Sequence, residues 1–162
     1  MSAQINYFED RVDWEGCSIE KLTCSKDIPI NNRIFALGRS ALTPSSLDCR
    51  IWSFECFPKD CASLSWTIKN DKNEEMKAEA FKDGSFSLKV QGKEKKDELT
   101  CCLITGEDLQ GEYWGSVFSV PLDTVLSFLG KKSLKADDRI YMEFKKEGAE
   151  PSVFSDLFRI SC

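Results

Sequence analysis

The feature that most constrains this chain is an alternation of apolar and polar residues with a period of two, renewed along much of its length. Leu64, Trp66 and Ile68 alternate with Ser65, Thr67 and Lys69, and Met76, Ala78 and Ala80 with Lys77, Glu79 and Phe81. Phe86, Leu88 and Val90 alternate with Ser87, Lys89 and Gln91, and Ile140, Met142 and Phe144 with Tyr141, Glu143 and Lys145. Successive side chains of a strand point to opposite faces, so each run reads as a strand with one dry and one wet face. Lys82-Asp83-Gly84, between the second and third runs, is a hairpin signal, because Gly84 can take the positive φ that a tight turn needs. Further strands are expected over residues 33–38, 48–57, 99–105, 113–120 and 153–160. Residues 48–57 are apolar on both faces, with Cys49 and Ile51 on one and Trp52, Phe54 and Cys56 on the other, which predicts a central strand. One short helix is expected where Pro121 precedes the stripe Leu122, Val125, Leu126 and Leu129, with Gly130 as its stop. About nine strands with turn signals about every 8 to 12 residues predict an all-β fold with one short helix. The architecture expected is a two-sheet antiparallel β-sandwich, jelly-roll-like, forming a single domain over residues 1–162.

A length of 162 residues suits one core, and 11 Phe, 4 Trp and 3 Tyr within a 41% hydrophobic composition are enough to fill it. The net charge is −5, with 27 acids among 22 bases. That balance offers no basic footprint, so no nucleic-acid partner is expected. Lys93-Glu94-Lys95-Lys96 reads as a solvated turn. No run approaches the ~20 apolar residues of a membrane span. Residues 1–13 show no charged region followed by an apolar run, so a cytoplasmic protein without a leader or membrane contact is expected. Of the eight cysteines, Cys49, Cys56, Cys101 and Cys102 fall inside expected strands, and Cys17, Cys24, Cys61 and Cys162 outside them. In a cytoplasmic chain of this size they read as free thiols acting as small buried hydrophobes rather than as four disulfides. The closest spacings, Cys56-x4-Cys61 and Cys17-x6-Cys24, together with the absence of any His, predict no zinc site, and neither a metal nor a cofactor is expected.

The lack of His also excludes Ser-His and Cys-His nucleophile–base pairs. Ser133-Leu134-Lys135 has the wrong spacing for a Ser-x-x-Lys dyad, and Gly106, Gly111, Gly115 and Gly130 are scattered rather than grouped in a phosphate loop. Glu55, Glu79, Glu112, Asp137 and Asp138 could furnish the paired carboxylates of a glycosidase, but nothing in the sequence brings two of them together. Asp137-Asp138 marks a turn, or at most a weak calcium-ligand pair. The chain is therefore expected to bind rather than to catalyse. Among the aromatics, Trp66 runs in phase with Leu64 and Ile68, and Trp52 with Phe54 and Cys56, so both are expected in the core. Tyr113 and Trp114 must point to opposite faces, which leaves one of them at a rim, and Trp14 follows an acidic loop and should be half-buried.

The order of four segments resembles the family 9-like carbohydrate-binding modules, including versions found in clostridial and related genomes. Residues 48–58, Asp-Cys-Arg-Ile-Trp-Ser-Phe-Glu-Cys-Phe-Pro, are similar to the family's early central strand, which ends in an acidic residue and a proline. Residues 76–86 resemble its aromatic-rich hairpin with Asp-Gly at the turn, and residues 112–122 its Trp, alternating strand, proline and short helix. Residues 139–146 with 151–154 resemble the closing strand pair. The resemblance covers most of residues 48–162 and implies a jelly-roll sandwich that binds sugar-chain ends between aromatic side chains. It implies a stacking platform drawn from Trp114, Tyr113 and Trp14, with Glu55, Glu79 and Arg50 as hydrogen-bonding partners of the sugar hydroxyls. The family's closing segment commonly carries a Cys-Gly-Asp loop, a His-Phe pair and a Trp, whereas residues 145–158 of this chain contain neither His nor Trp. That departure keeps open an alternative: a structural or protein-interaction domain, partnered by another protein or a second copy, on a sandwich that has lost its sugar site.

Overall fold

A computed structural model of the chain describes residues 3–24, 36–54, 62–108, 111–148 and 151–162. Its strands are β1 (Gln4–Tyr7), β2 (Glu20–Cys24), β3 (Ala36–Leu42), β4 (Ser46–Ser53), β5 (Ser63–Lys69), β6 (Glu75–Phe81), β7 (Phe86–Val90) and β8 (Lys93–Glu94). They continue with β9 (Thr100–Asp108), β10 (Gly111–Pro121), β11 (Arg139–Glu147) and β12 (Ser152–Ser161), and the helix α1 (Leu122–Leu129) lies between β10 and β11. The strands are hydrogen-bonded in the order β8-β7-β6-β5-β11-β12-β1-β3-β4-β10-β9, and β2 pairs with both β12 and β3. This ribbon is folded on itself. The layer β8-β7-β6-β5-β11-β12 faces the layer β3-β4-β10-β9, and β1 and β2 form the seam along one side.

The expected sandwich is thus present, with one difference. β1 runs parallel to β12 and to β3, whereas β2 is antiparallel to both. The two strands that meet at the seam point the same way, so a strand joining them must be parallel to both or antiparallel to both. The seam uses one of each.

Inward-facing residues of the predicted alternations form the core. Trp66 of β5 meets Phe118 of β10 across the sandwich, with ring centroids 6.4 Å apart. Phe144 of β11 packs against Phe158 at 5.2 Å and Phe154 at 6.5 Å. Opposite it on β3 stands Gly38, where an added Cβ would fall within 2.7 Å of Phe144 Cε2. The ring therefore occupies the space a side chain at residue 38 would fill. The hairpin after β6 turns at Gly84, with φ +92°. Both the amide and the hydroxyl of Ser85 donate to Asp83 Oδ1 there, at 2.9 and 2.6 Å, and hold that carboxyl below the usual range. β4 is central, between β3 and β10, as its two apolar faces require. The strand expected at 33–38 continues to Leu42, and the parts of the expected strands at 33–35 and 55–57 lie outside the described residues. α1 follows Pro121, buries Val125 and Phe128, and stops at Gly130. No helix among the described residues is long and apolar enough to cross a membrane.

Cys17 and Cys49 are buried free thiols, Cys101 is half-buried, and Cys102 and Cys162 are exposed. Adjacent Cys101 and Cys102 point to opposite sides of β9, so one joins the interior and the other meets solvent. Burial pushes the Cys17 thiol up to about 11, with Arg39 opposing and Asp13 adding, and burial likewise raises Cys49 well above the ordinary thiol value. A brief pulse of maleimide on the native protein should label Cys102 and Cys162 first and leave Cys17 and Cys49 protected, as read by peptide mass spectrometry. The same burial has a pH consequence. A thiol that holds its proton more tightly when folded favours the native state less as pH rises from its unfolded value, near 9, to its folded one. Unfolding stability should therefore fall by on the order of 1–3 kcal/mol between about pH 9 and 11, and Cys17→Ala should reduce that slope in denaturant titrations.

Candidate functional site

The outer face of the second layer brings together residues that packing alone does not explain. Along β4, Cys49 and Ile51 enter the core, so Asp48, Arg50 and Trp52 point outward. Trp52 is only 5% exposed, yet it lies outside the core cluster. This refines the expectation that Trp52 is core: it is buried, but on the opposite face of its strand. Its cover is cationic. The guanidinium carbons of Arg39 and Arg50 lie 5.0 and 5.1 Å from the Trp52 ring centroid. Contacts of this kind are favourable, more so when desolvated.

Arg39 and Arg50 are directly opposite each other on β3 and β4. Arg39 donates from Nη1 to the Trp14 carbonyl, which ties down the 3₁₀ turn at Trp14–Gly16. That turn is capped by Asp13, whose Oδ1 accepts from the Glu15 amide at 3.2 Å. Burial lowers the proton affinity of Arg39; Glu15 opposes this, Arg50 adds to it, and Cys17 and Asp13 oppose it. The guanidinium nonetheless stays charged, because its intrinsic pKa is so high.

Farther along the same face, Phe54 and Tyr113 meet edge to face, with centroids 5.8 Å apart and an interplanar angle of 67°. Tyr113 is paired with Gly106 on β9. A Cβ at Gly106 would lie 2.7 Å from Tyr113 Cζ, so the glycine is what lets the phenol lie flat across the edge strand. Both rings are half-buried and keep part of their surface in solvent. From Arg50 to Phe54 is four residues of extended strand, about 13 Å, a span suited to an oligosaccharide rather than a single ring.

Of the residues singled out from sequence, Arg50 and Tyr113 lie on this face, and half-buried Trp14 reaches it through its carbonyl. Trp114 does not: it is 6% exposed, points inward opposite Ser53 and Thr105, and belongs to the core. Glu79 lies on the outer face of the other layer, accepting from Ser63 Oγ at 2.9 Å and contributing to the field at Lys145. Lys145 itself is paired with Glu147 at 2.8 Å. Glu55 is outside the described residues. Arg39 and Phe54 were not singled out, because Arg39 follows the last residue of an expected strand and Phe54 read as core. Lys146 was also passed over. It runs in phase with Ile140, Met142 and Phe144, and it is fully buried across from Ser152. A lysine in register with an apolar face was the available signal.

A concavity of about 360 Å³ lies between the β7–β8 hairpin and α1, lined by Lys93, Lys95, Glu98, Asp123, Thr124 and Phe128 among others. Three of its polar groups engage one another: Thr124 Oγ1 donates to Glu98 at 3.0 Å, and Lys95 lies 3.9 Å from the same carboxylate. No group of three or more metal-ligating side chains comes together among the described residues. Asp137 and Asp138 serve a turn, Asp138 accepting from the Lys135 amide at 2.9 Å and Asp137 lying 3.4 Å from Arg159. The chemistry the outer face offers is recognition through ring faces, guanidinium donors and hydroxyls.

No protein-family model matches the sequence, and no curated protein matches it. Solved structures do. A candidate carbohydrate-binding protein from Bacteroides uniformis superposes with a TM-score of 0.68 at 12% identity, over 99% of this chain and 100% of that one. A family 9 carbohydrate-binding module from Caldicellulosiruptor kristjanssonii in complex with glucose superposes with a TM-score of 0.67 at 7% identity, covering 98% of this chain and 94% of that one. A structure of such a module from the same organism with cellotriose gives 0.66 at 8% identity, covering 98% and 92%. The match runs over nearly the whole of each chain, and this chain has the β-sandwich fold of the family 9 carbohydrate-binding modules.

Proposed function

We propose that this chain is a non-catalytic saccharide-binding module whose ligand lies along the outer face of the second layer. The observation that carries the reading is the strip formed by Arg50, buried Trp52, Phe54 and Tyr113 across the paired strands β4 and β10, which combines half-buried aromatic surface with a guanidinium donor stacked in place. Structures of modules with this fold, solved with glucose and with cellotriose, supply the ligand class. Tyr113 and Phe54 stack against the C–H faces of sugar rings, and Arg50 donates to their oxygens, with Trp14 at the margin. Trp114 supports the strip from within the core. Titration with glucose and cello-oligosaccharides should give saturable binding, and Tyr113→Ala should weaken it about tenfold at a temperature where circular dichroism shows the variant folded. A glycan array and titrations that both show no binding would end this reading.

One feature favours a partner of another kind. β9 ends the strand order, and its nine residues include exposed Cys102 and Leu103 (38%) and carry neither Lys nor Pro. The other end of the order is the two-residue β8, which begins with Lys93 and is followed by Lys95 and Lys96, and short, lysine-bearing strands are how natural sheets blunt an edge. If β9 pairs with a second copy, light scattering will show a concentration-dependent dimer that Leu103→Lys abolishes.

A further inference from the structure

We infer that the saccharide bound on this face is acidic, and that the carboxylate of a uronic acid unit is held by Arg50 with Arg39 behind it. The inference rests on the saccharide-binding reading and names its substrate class. Its first support is the cross-strand pair itself. Arg39 and Arg50 are directly opposed on neighbouring strands, and like charges so placed are destabilising, a cost that stacking on Trp52 offsets in part and a bound anion would relieve further.

The second support is the missing counter-charge. Lys69, Lys95, Lys145 and Arg159 each have a carboxylate within 4 Å. Arg50 has none among the described residues. Asp48, two residues away on the same face, is engaged instead by Ser119, whose hydroxyl donates to it at 2.6 Å. Asp13 and Glu15 act on Arg39, on the side of the 3₁₀ turn. The third support is burial. Arg39 is 7% exposed, and its Nε, like that of Arg50, is buried without a hydrogen-bond partner. Polar groups so placed are costly unless a ligand or neighbour compensates them.

The geometry suits a planar anion. A guanidinium presents parallel donors that match the two oxygens of a carboxylate. Stacking on Trp52 holds the Arg50 guanidinium in place beforehand, so little rotamer freedom is lost on binding. A sugar ring adjoining the uronate then meets the exposed parts of Phe54 and Tyr113.

Calorimetric titration of the full chain with trigalacturonate and with cellotriose, at low ionic strength, tests this. Wild-type protein should bind trigalacturonate about tenfold more tightly than cellotriose, and in Arg50→Gln the ratio should fall to near one. Arg50→Lys, which keeps the charge and loses the fork, should give an intermediate ratio and guards against a variant that fails to fold. Equal affinity of the wild type for the two trisaccharides would overturn the inference and leave the saccharide-binding reading standing, as would a preference that survives in folded Arg50→Gln. Binding of neither trisaccharide would overturn both.

Discussion

Phe144→Ala should destabilise the protein by about 3–5 kcal/mol in urea unfolding, a large part of what a domain of this size possesses. The ring is fully buried, belongs to the aromatic cluster with Phe154 and Phe158, and lies over Gly38 of the opposite layer. Truncation removes those contacts and leaves a cavity between the layers. Gly38→Ala attacks the same contact from the other side: its new methyl meets the Phe144 ring, at a cost of about 1–3 kcal/mol. Because both changes act on one space, the double variant should cost less than the sum of the two, by at least about 0.5 kcal/mol. Strict additivity would mean that the layers do not meet at this point.

Trp52→Ala should cost about 3–5 kcal/mol although Trp52 lies outside the main core. Removing the indole exposes the floor of the outer face and deprives Arg39 and Arg50 of the ring that both stack on, leaving two cations facing each other. Saccharide binding should be lost with it. Trp52→Phe retains a ring for both guanidiniums and should recover more than half of the stability. If Trp52→Ala costs less than about 1 kcal/mol, the cationic cover is a surface accident rather than part of the fold.

The β-sandwich was legible because its long strands have one dry and one wet face, and alternation reports that directly. β5, β6, β7, β11 and the helix after Pro121 fall within a residue or two of where the pattern puts them. β1 and β8 are four and two residues long, too short for a period to show, and the parallel pairing of β1 depends on which strands meet at the seam. The candidate site was harder to read. Phase alone separates Tyr113 from Trp114 but does not say which of the two faces inward. That was decided by β10 lying in the second layer with Trp114 opposite Ser53. Trp52 read as core because burial and core membership coincide for most tryptophans. Here two arginines from neighbouring strands do the burying, and a cross-strand pairing of that kind is invisible until register is known.

The proposed ligand position is the outer face of the second layer. Amide chemical-shift mapping of ¹⁵N-labelled protein during titration with cellotriose and with trigalacturonate tests it most directly. Shifts are expected to concentrate at residues 50–54, 104–106 and 113, with Arg39 and Arg50 responding most strongly to the uronate. Shifts confined to residues 91–98 and 123–128, in the cleft beside α1, or none at saturating sugar, would contradict it.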